Sequence, residues 1–329
     1  MERKTVGLKL TVLLRIHSRT QFFRSAFESI LGQTYDASML EIIILTNLTK
    51  VSEYFSNFNN LNLAIYNYKD STEGEVLWEG ISRSSGEVIC FLDDDDLWKE
   101  ERLQTVHHLF MEHKGVGYYH NSVEPFNDLS NNVERKQYEV VRGKRNLYVK
   151  NSEKWRLIRR ITGYYPDFNM SSICIRRDII SKRLGQLRKM KSSPDTFIYF
   201  CALESECDFF LDSTQLTFYR HHGLNLTKNN TVNEDWNEVI VTSHAFLVDA
   251  FAGINEQIKN LAQRRLALTK IQVSLRSKVP SKKQALHYSV EYLRIFFSFL
   301  IPIDAFVLFL LILSILDHNF AQKIYFKYV

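Results

Sequence analysis

The sequence predicts an α/β fold in which a mostly parallel sheet is flanked by helices. Strand-like apolar runs alternate with amphipathic helical stretches between residues 8 and 113, a pattern typical of parallel strands joined by helical crossovers. The run at 88–92 is apolar throughout and leads directly into the aspartates 93–96. A continuous apolar run indicates a strand covered on both faces, and parallel sheets bind ligands where such strands end.

Periodicity sets the order of the elements in the first part of the chain. Phe23, Phe27 and Ile30 share one side of a helical stretch, whereas short apolar runs indicate strands. Strands are predicted at 8–14, 41–45, 61–66 and 88–92, and helices at 20–31, 51–58, 74–84 and 97–113. There is no GxGxxG and no GxxxxGK[ST], so neither a dinucleotide fingerprint nor a P-loop is present.

The pattern changes after residue 120. Between 121 and 166 the periodicity fades and basic residues accumulate, which indicates either a binding loop or a solvated insertion. Further strands are predicted at 169–175, 207–211 and 215–220, and a long helical stretch at 234–278.

Size and composition fit one α/β domain with an appendage. The 329 residues are 45% hydrophobic and 13% aromatic, which excludes global disorder. The four cysteines show no paired spacing, which indicates a reducing compartment, and the first residues do not predict a signal peptide. We expect an α/β domain at 1–230, a helical basic extension at 231–284 and a membrane-associated segment at 285–329.

Charge supports the membrane prediction. Residues 259–294 contain nine Lys or Arg and one acid, and the almost wholly apolar segment 295–316 follows. Basic residues beside an apolar segment favour contact with the anionic cytoplasmic leaflet. Nucleic acid is not an expected partner, because no nucleic-acid-binding module is recognisable. We therefore expect the α/β domain at the cytoplasmic face of the membrane.

The apolar segment itself leaves three interpretations open. Pro302 and Asp304 divide its 22 residues, and about 20 are needed to cross the hydrocarbon. A charge at its centre is costly there, so an in-plane or re-entrant helix competes with a true span. A buried core helix or dimer interface is the third interpretation.

The aspartate run at 93–96 also has two interpretations. Four like charges repel one another unless a cation lies among them. A divalent metal that binds a diphosphate at this edge of the sheet would offset that repulsion. The alternative is a solvated acidic loop that caps the next helix. An EF-hand is excluded, because Trp98 and Gln104 stand where that loop needs its glycine and its glutamate.

The chain resembles the family-2, inverting glycosyltransferases of GT-A (Rossmann-like) fold over residues 8–227. Four stretches carry the resemblance in the family's order. They are TVLLRIHSR (11–19) with FESILGQTY (27–35), GISRSSGEVICFLDDDDLW (80–98) with its DxD motif, SPD (193–195), and YRHHGLN (219–225). The resemblance implies a transferase that moves a sugar from a nucleotide-sugar donor to an acceptor hydroxyl or phosphate.

The resemblance also implies roles for individual residues. Asp95 and Asp93, with His222, would bind Mn²⁺ or Mg²⁺, and Asp195 would be the catalytic general base. The implied donor-binding residues are Arg15, His17, Arg19, Asn47, Gly80, Arg83, Asp93 and Asp94. His222 is equally explained as a core histidine, and Asp195 as the N-cap of a helix at 196–203.

Three departures from the family pattern keep a second class of function open. Asn47 follows Thr46 where the family has an acid, Leu77-Trp78-Glu79 replaces an Ala-Arg-Asn triplet, and Pro194 precedes Asp195 in place of Glu. The alternative is a catalytically degenerate, membrane-anchored protein that binds sugar nucleotides or acts as a scaffold. For an active enzyme we expect a lipid-linked glycan or polyprenyl phosphate as acceptor, with the basic stretch 135–160 near its phosphates.

Overall fold

A computed structural model describes residues 7–17, 20–48, 51–55, 58, 60–127, 145–221 and 234–276, with short stretches between 283 and 324. These residues form two compact units. One comprises Met1–Met190 and Pro194–His222, and the other Lys191–Ser193 and Gly223–Val329. The finer division at 230 and 284 stays a prediction.

The described strands of the first unit form one sheet of nine. Their bounds are β1 Leu10–Ile16, β2 Leu40–Thr46, β3 Leu63–Asn67, β4 Val88–Asp93, β5 Leu97–Trp98, β6 Val116–Asn127, β7 Leu147–Val149, β8 Ile173–Arg176 and β9 Asp208–His221. The order across the sheet is β3-β2-β1-β4-β8-β6-β9-β5, and β7 also pairs with β9.

The sheet is mixed rather than mostly parallel. Strands β3, β2, β1 and β4 are parallel, as the alternation of strand and helix predicts. Beyond β4, strand β8 runs antiparallel to both of its neighbours, and β5 and β7 run antiparallel to β9. The parallel prediction is therefore wrong for this second half, where β6 and β9 make the one parallel pair described.

Helices connect and cover the strands. Their bounds are α1 Phe23–Leu31, α2 Val51–Phe55, α3 Glu73–Arg83, α4 Arg102–Glu112, α5 Ile158–Thr162, α6 Arg177–Ser181, α7 Leu184–Leu187, α8 Pro194–Glu204, α9 Glu234–Phe251 and α10 Glu256–Arg276. A reciprocal capping box between Thr72 and Glu75 starts α3, which satisfies two backbone donors at its end. The helix predicted at 97–113 begins at Arg102 instead, because Leu97–Trp98 pairs with β9.

The buried helix α8 places the candidate base at its first turn. Its residues 196–203 are buried on all sides, which fits its nearly continuous apolar sequence. The Lys154 side chain is fully buried, and its Nζ donates to the carbonyls of Ala202, Leu203 and Ser205 at 3.2, 3.4 and 2.6 Å. A cation is favourable at a helix C-terminus because of the helix dipole, so Lys154 stabilises the C-terminal end of α8.

The second unit has its own small core. Helix α10 contributes Ala267, Ile271 and Leu275, which are buried with Tyr292 and Leu310. Burial lowers the pKa of His244 on α9 to about 3, and its Nδ1 lies 2.6 Å from Thr269 Oγ1 of α10. Among the residues that the structure describes, no helix is both long and apolar enough to cross a membrane. Most of segment 295–316 lies outside them.

Candidate active site

The carboxyl ends of β1 and β4 join the aspartate run to a half-buried arginine. The two strands are neighbours in register, with Arg15 opposite Asp93. Arg15 Nη2 lies 2.8 Å and Nε 3.0 Å from Asp93 Oδ1, and Arg15 Nη1 lies 3.7 Å from Glu73. Burial disfavours the guanidinium charge, but Asp93 and Glu73 together raise the pKa of Arg15. Arg15 therefore stays a cation at this edge.

The next aspartate is tied to the residue that follows β1. The backbone N–H of His17 donates to Asp94 Oδ2 at 2.9 Å, and Asp94 is buried. The Arg15–Asp93 and His17–Asp94 contacts both join the end of β1 to the end of β4. The aspartate run is therefore a fixed part of the sheet edge, which argues against the alternative of a solvated loop.

Two polar rings, the exposed His17 and the half-buried Tyr68, lie beside these carboxylates. His17 Nδ1 lies 3.3 Å from Asn47 Nδ2 and 3.4 Å from the Tyr68 hydroxyl. Tyr68 also donates to the Ile16 carbonyl at 3.3 Å, and burial is the main cause that raises its pKa to about 12. Because these residues follow β1, β2 and β3, parallel strand ends bring them to one edge.

Arg220 of β9 forms hydrogen bonds with both Asp95 and Asp96. The Arg220 guanidinium donates to the Asp95 carbonyl at 2.7 Å, and the Arg220 N–H donates to Asp96 Oδ1 at 3.1 Å. Both carboxylate side chains are buried, at 7% and 2% exposed. Burial and the charge of Asp95 raise the pKa of Asp96 well above its usual range. Arg220 therefore fixes the backbone of Asp95 and the side chain of Asp96.

Ser171 supports the aspartate run from the opposite side. Its hydroxyl accepts the Asp93 N–H at 3.1 Å, and its carbonyl accepts the Trp98 indole N–H at 2.8 Å. Asn169 in turn accepts the Ser171 N–H through its side chain. Sequence reasoning missed Ser171, because only the fold brings it to the end of β4.

Asp195 lies in the first turn of α8 and is half-buried. Its Oδ1 accepts the N–H of Thr196 at 2.8 Å, and the Thr196 hydroxyl donates to Asp167 at 3.1 Å. The helix begins at Pro194, so Asp195 is inside it rather than at its N-cap. Asp167 is a second carboxylate near the predicted base, and no local sequence signal indicates it.

The remaining predicted site residues are not joined to this cluster by the contacts described. Gly80 packs in α3, where an added Cβ would lie 2.7 Å from a methyl group of Leu45. Arg83 is exposed, pairs with Glu79 at 2.6 Å and lies 4.4 Å over the Tyr66 ring. Arg19 and His222 lie outside the described residues. The donor-binding roles of Gly80 and Arg83 stay predictions.

The donor set suits a hard cation. No three His, Cys, Asp or Glu side chains are grouped around a metal position in the described part of the chain. Mg²⁺ and similar ions nevertheless bind proteins through one or two carboxylates and complete their shell with substrate phosphates and water. Asp93 and Asp95 supply such carboxylates within one short turn, so the residues present fit a divalent cation that arrives with a diphosphate.

A cavity opens beside the residues that follow β1 and β2. It is an open surface pocket of about 530 Å³. Its lining residues are Thr20, Gln21, Phe23, Arg24, Leu48, Val51 and Tyr54. Leu48 follows Asn47 directly, so polar and aromatic groups meet at this end of the sheet.

The fold and the carboxylate-lined edge are those of an α/β domain of GT-A type. The sequence profile of glycosyl transferase family 2 matches residues 11–183, more than half of the chain. The chain belongs to this family. The predicted family and the predicted class of enzyme, a glycosyltransferase, are confirmed at this level.

Similarity to solved structures agrees with the fold. Residues 1–349 of S. aureus TarS in complex with UDP share 13% identity with a TM-score of 0.62, and the match covers 97% of this chain and 91% of that one. The mannosyltransferase PcManGT from Pyrobaculum calidifontis, in complex with GDP-Man and Mn²⁺, shares 11% identity with a TM-score of 0.51, over 97% and 87% of the two chains.

The match to one curated relative covers a shorter part of the chain. An uncharacterized glycosyltransferase of Nostoc sp. is 25% identical over 123 residues, which are 35% of this chain and 36% of the relative. The chain thus spans about a third of the length of this relative.

Proposed function

We propose that the protein is a metal-dependent inverting glycosyltransferase that moves a sugar from a nucleotide-sugar donor to an acceptor hydroxyl or phosphate. The observation that carries this proposal is the aspartate run 93–96 at the carboxyl edge of the sheet, fixed by Arg15 and His17. A cation-binding edge next to polar rings suits a nucleoside diphosphate, which carries both a charged and a planar part.

The donor would lie across the ends of β1 to β4. His17, Asn47 and Tyr68 form a polar cluster there, beside Asp93 and Asp94. Support comes from solved structures of the same fold. TarS was solved in complex with UDP-GlcNAc, and that structure matches this chain with a TM-score of 0.57. PcManGT was solved in complex with GDP-Man. Asn47 has both a donor and an acceptor group, so it suits a base that presents both.

A divalent cation, Mn²⁺ or Mg²⁺, would be held by Asp95 and Asp93, and His222 remains a proposed further ligand. When bound, the ion supplies positive charge that stabilises the departing diphosphate. The Mn²⁺ in the PcManGT structure supports this choice of ion. Arg15 keeps its charge beside Asp93 and would limit the net negative charge that the run presents.

Asp195 would act as the general base. Its Oδ1 accepts the Thr196 N–H, which orients the carboxylate in the first turn of α8. A base must reach the acceptor's proton as the acceptor oxygen attacks the sugar. Attack from the face opposite to the leaving diphosphate inverts the anomeric centre.

Turnover of a nucleotide sugar tests the proposal and discriminates it from a degenerate binding protein. Purified full-length chain with Mn²⁺ is incubated with a panel of UDP-, GDP- and dTDP-sugars, and released nucleoside diphosphate is measured by mass spectrometry. We expect metal-dependent release from at least one donor, and release above background from none would favour the binding protein. The anomer of the transferred sugar, read by NMR, reports inversion.

We also propose that the C-terminal unit rests on the anionic cytoplasmic face of the membrane. Seven large hydrophobic side chains are exposed in the described part of the chain, and five of them lie between 286 and 320. Lys270, Lys283 and Lys323 lie in the same unit. Apolar side chains with nearby cations favour an anionic lipid surface. A transferase held there would meet a lipid-linked glycan or a polyprenyl phosphate as acceptor.

Vesicle binding tests the membrane proposal. Phe309, Ile312 and Phe320 are 50–55% exposed, and replacing all three by Ser removes apolar area worth about 1.5–3 kcal/mol for each fully inserted side chain. We expect the full-length triple variant to co-sediment at least about tenfold less with anionic phosphatidylglycerol vesicles, since 1.4 kcal/mol corresponds to tenfold. Leu31→Ser, a change at an exposed residue of α1, is the matched control. Equal binding of the triple variant and the wild type contradicts the proposal.

A further inference from the structure

One buried threonine connects two carboxylates at the start of α8. Thr196 is fully buried, and it donates its N–H to Asp195 at 2.8 Å and its hydroxyl to Asp167 at 3.1 Å. The two acids come from different parts of the chain, 28 residues apart, yet both lie within hydrogen-bonding distance of one residue. Both are half-buried.

The segment that carries Asp167 is strained and firmly anchored. Tyr165 and Asn169 have positive φ angles of 49° and 64°, a left-handed conformation that costs a non-glycine residue about 1–3 kcal/mol. Strand β6 fixes the segment from one side. The Tyr118 hydroxyl donates to the Pro166 carbonyl at 2.6 Å, and His120 Nε2 lies 2.7 Å from the Phe168 carbonyl.

This strain points to a role for the residue that lies between the strained positions. Left-handed residues persist only where their surroundings hold them, and they concentrate at functional sites. The contacts from β6 flank Asp167 on both sides. The same segment continues to Ser171, which accepts the Asp93 N–H. This segment therefore connects the start of α8, through Asp167, with the aspartate run, through Ser171.

The groups around the two acids form one electrostatic neighbourhood. Tyr118 of β6 interacts with both acids, and its ring lies 6.0 Å from that of Tyr199 on α8. Burial, followed by Asp167, Tyr199 and Asp195, raises the pKa of Tyr118 well above its usual range. His120 of β6 faces the neighbouring Phe168 carbonyl. A second carboxylate close to a base disfavours its ionised form and makes it bind a proton more strongly.

We propose that Asp167 is a positioning residue for Asp195, acting through Thr196 to hold the Asp195 carboxylate and through its charge to make Asp195 a stronger base. This inference rests on the proposed function of Asp195. Pro194 offers no polar side-chain atom beside Asp195, so the second carboxylate of this site comes from a distant segment. Asp167 need not touch the reacting atoms.

Three substitutions distinguish the effect of the Asp167 charge from that of the hydrogen bond between Asp167 and Thr196. Asp167→Asn keeps an oxygen that accepts from Thr196 but removes the charge. We expect it to move the acidic limb of the kcat/KM against pH profile downward by about one unit, the size of a tenfold change in proton affinity. Thr196→Val removes the hydroxyl at nearly constant shape and should lower kcat about tenfold or more with little change in donor KM. Thr196→Ser should restore kcat to within a few-fold.

Controls distinguish positioning from a purely structural role. Asp178→Asn changes an exposed aspartate of α6 and should leave the pH profile unchanged. Thermal melting and donor calorimetry at saturating Mn²⁺ report folding and donor binding for every variant. An unshifted acidic limb in Asp167→Asn, or a Thr196→Ser variant as slow as Thr196→Val, overturns the proposal.

A direct titration keeps the inference separate from the proposed function. The carboxyl ¹³C resonance of Asp195 is titrated in the full-length protein and in Asp167→Asn, which needs no turnover. A lower Asp195 pKa in the variant supports the proposal even if no donor is consumed, whereas equal pKa values overturn it even in an active enzyme.

Discussion

Asp95→Ala should lower kcat/KM for sugar transfer by at least about 100-fold, the lower range for losing one electrostatic stabiliser of a leaving group. The reason is that Asp95 would hold the cation that neutralises the departing diphosphate. Excess EDTA should abolish transfer by the wild type, and Mn²⁺ or Mg²⁺ should restore it. Rates are measured by release of nucleoside diphosphate at saturating and at limiting metal.

Two control substitutions make this result specific. Asp178→Ala changes an exposed aspartate and should leave the rate unchanged. Asp96→Ala removes the acceptor of the Arg220 N–H, and a buried unmet donor costs about 1–3 kcal/mol. That variant should therefore lower the melting temperature, whereas Asp95→Ala should affect mainly turnover. Full activity in excess EDTA contradicts metal dependence.

The first half of the sheet could be predicted because its signals are local. Strands β1 to β4 are short apolar runs separated by helices, and the pairings among these four strands are all parallel. Residues at their carboxyl ends, such as Arg15, His17 and Asn47, are then expected at one edge. Tyr68 follows β3 directly, so the same rule could have found it.

The second half could not be predicted in the same way, because long-range pairing decides it. The sequence predicts two strands at 207–211 and 215–220, yet β9 runs without a break from Asp208 to His221. Asp212 resembles a turn residue and does accept the Thr214 N–H. The Tyr119 hydroxyl donates to Asp212 at 2.9 Å, and β6 stays paired through local register shifts. An irregularity within a strand therefore replaces the predicted turn.

Prediction of the site from the sequence is limited in the same way, because part of the site depends on long-range contacts. The aspartate run follows its own strand and is visible in the sequence. Ser171 and Asp167 reach the site only through the mixed half of the sheet and the strained segment before β8. A strand is predicted at 169–175, but no motif marks Ser171 or Asp167 as a site residue, so tertiary contacts identify them.

Asp195→Asn should lower kcat by about 100- to 10,000-fold, the usual contribution of a general base, while donor affinity stays nearly constant. The structure makes this substitution informative, because an amide oxygen can still accept the Thr196 N–H that Asp195 accepts at 2.8 Å. The local helix contact is therefore kept and only the basic oxygen is lost. An effect confined to the transition state lowers kcat without weakening donor binding.

A role of Asp195 in helix stability predicts the opposite pattern. Asp195→Ala would then lower the melting temperature, and Asp195→Asn would leave both stability and turnover close to wild type. Calorimetry with the donor, thermal melting and single-turnover rates on the same two variants decide between the two roles. Unchanged turnover in Asp195→Asn, with unchanged donor binding, would remove Asp195 from catalysis. Because the second carboxylate, Asp167, is bound to the same threonine, it would then be the next residue to test as the base.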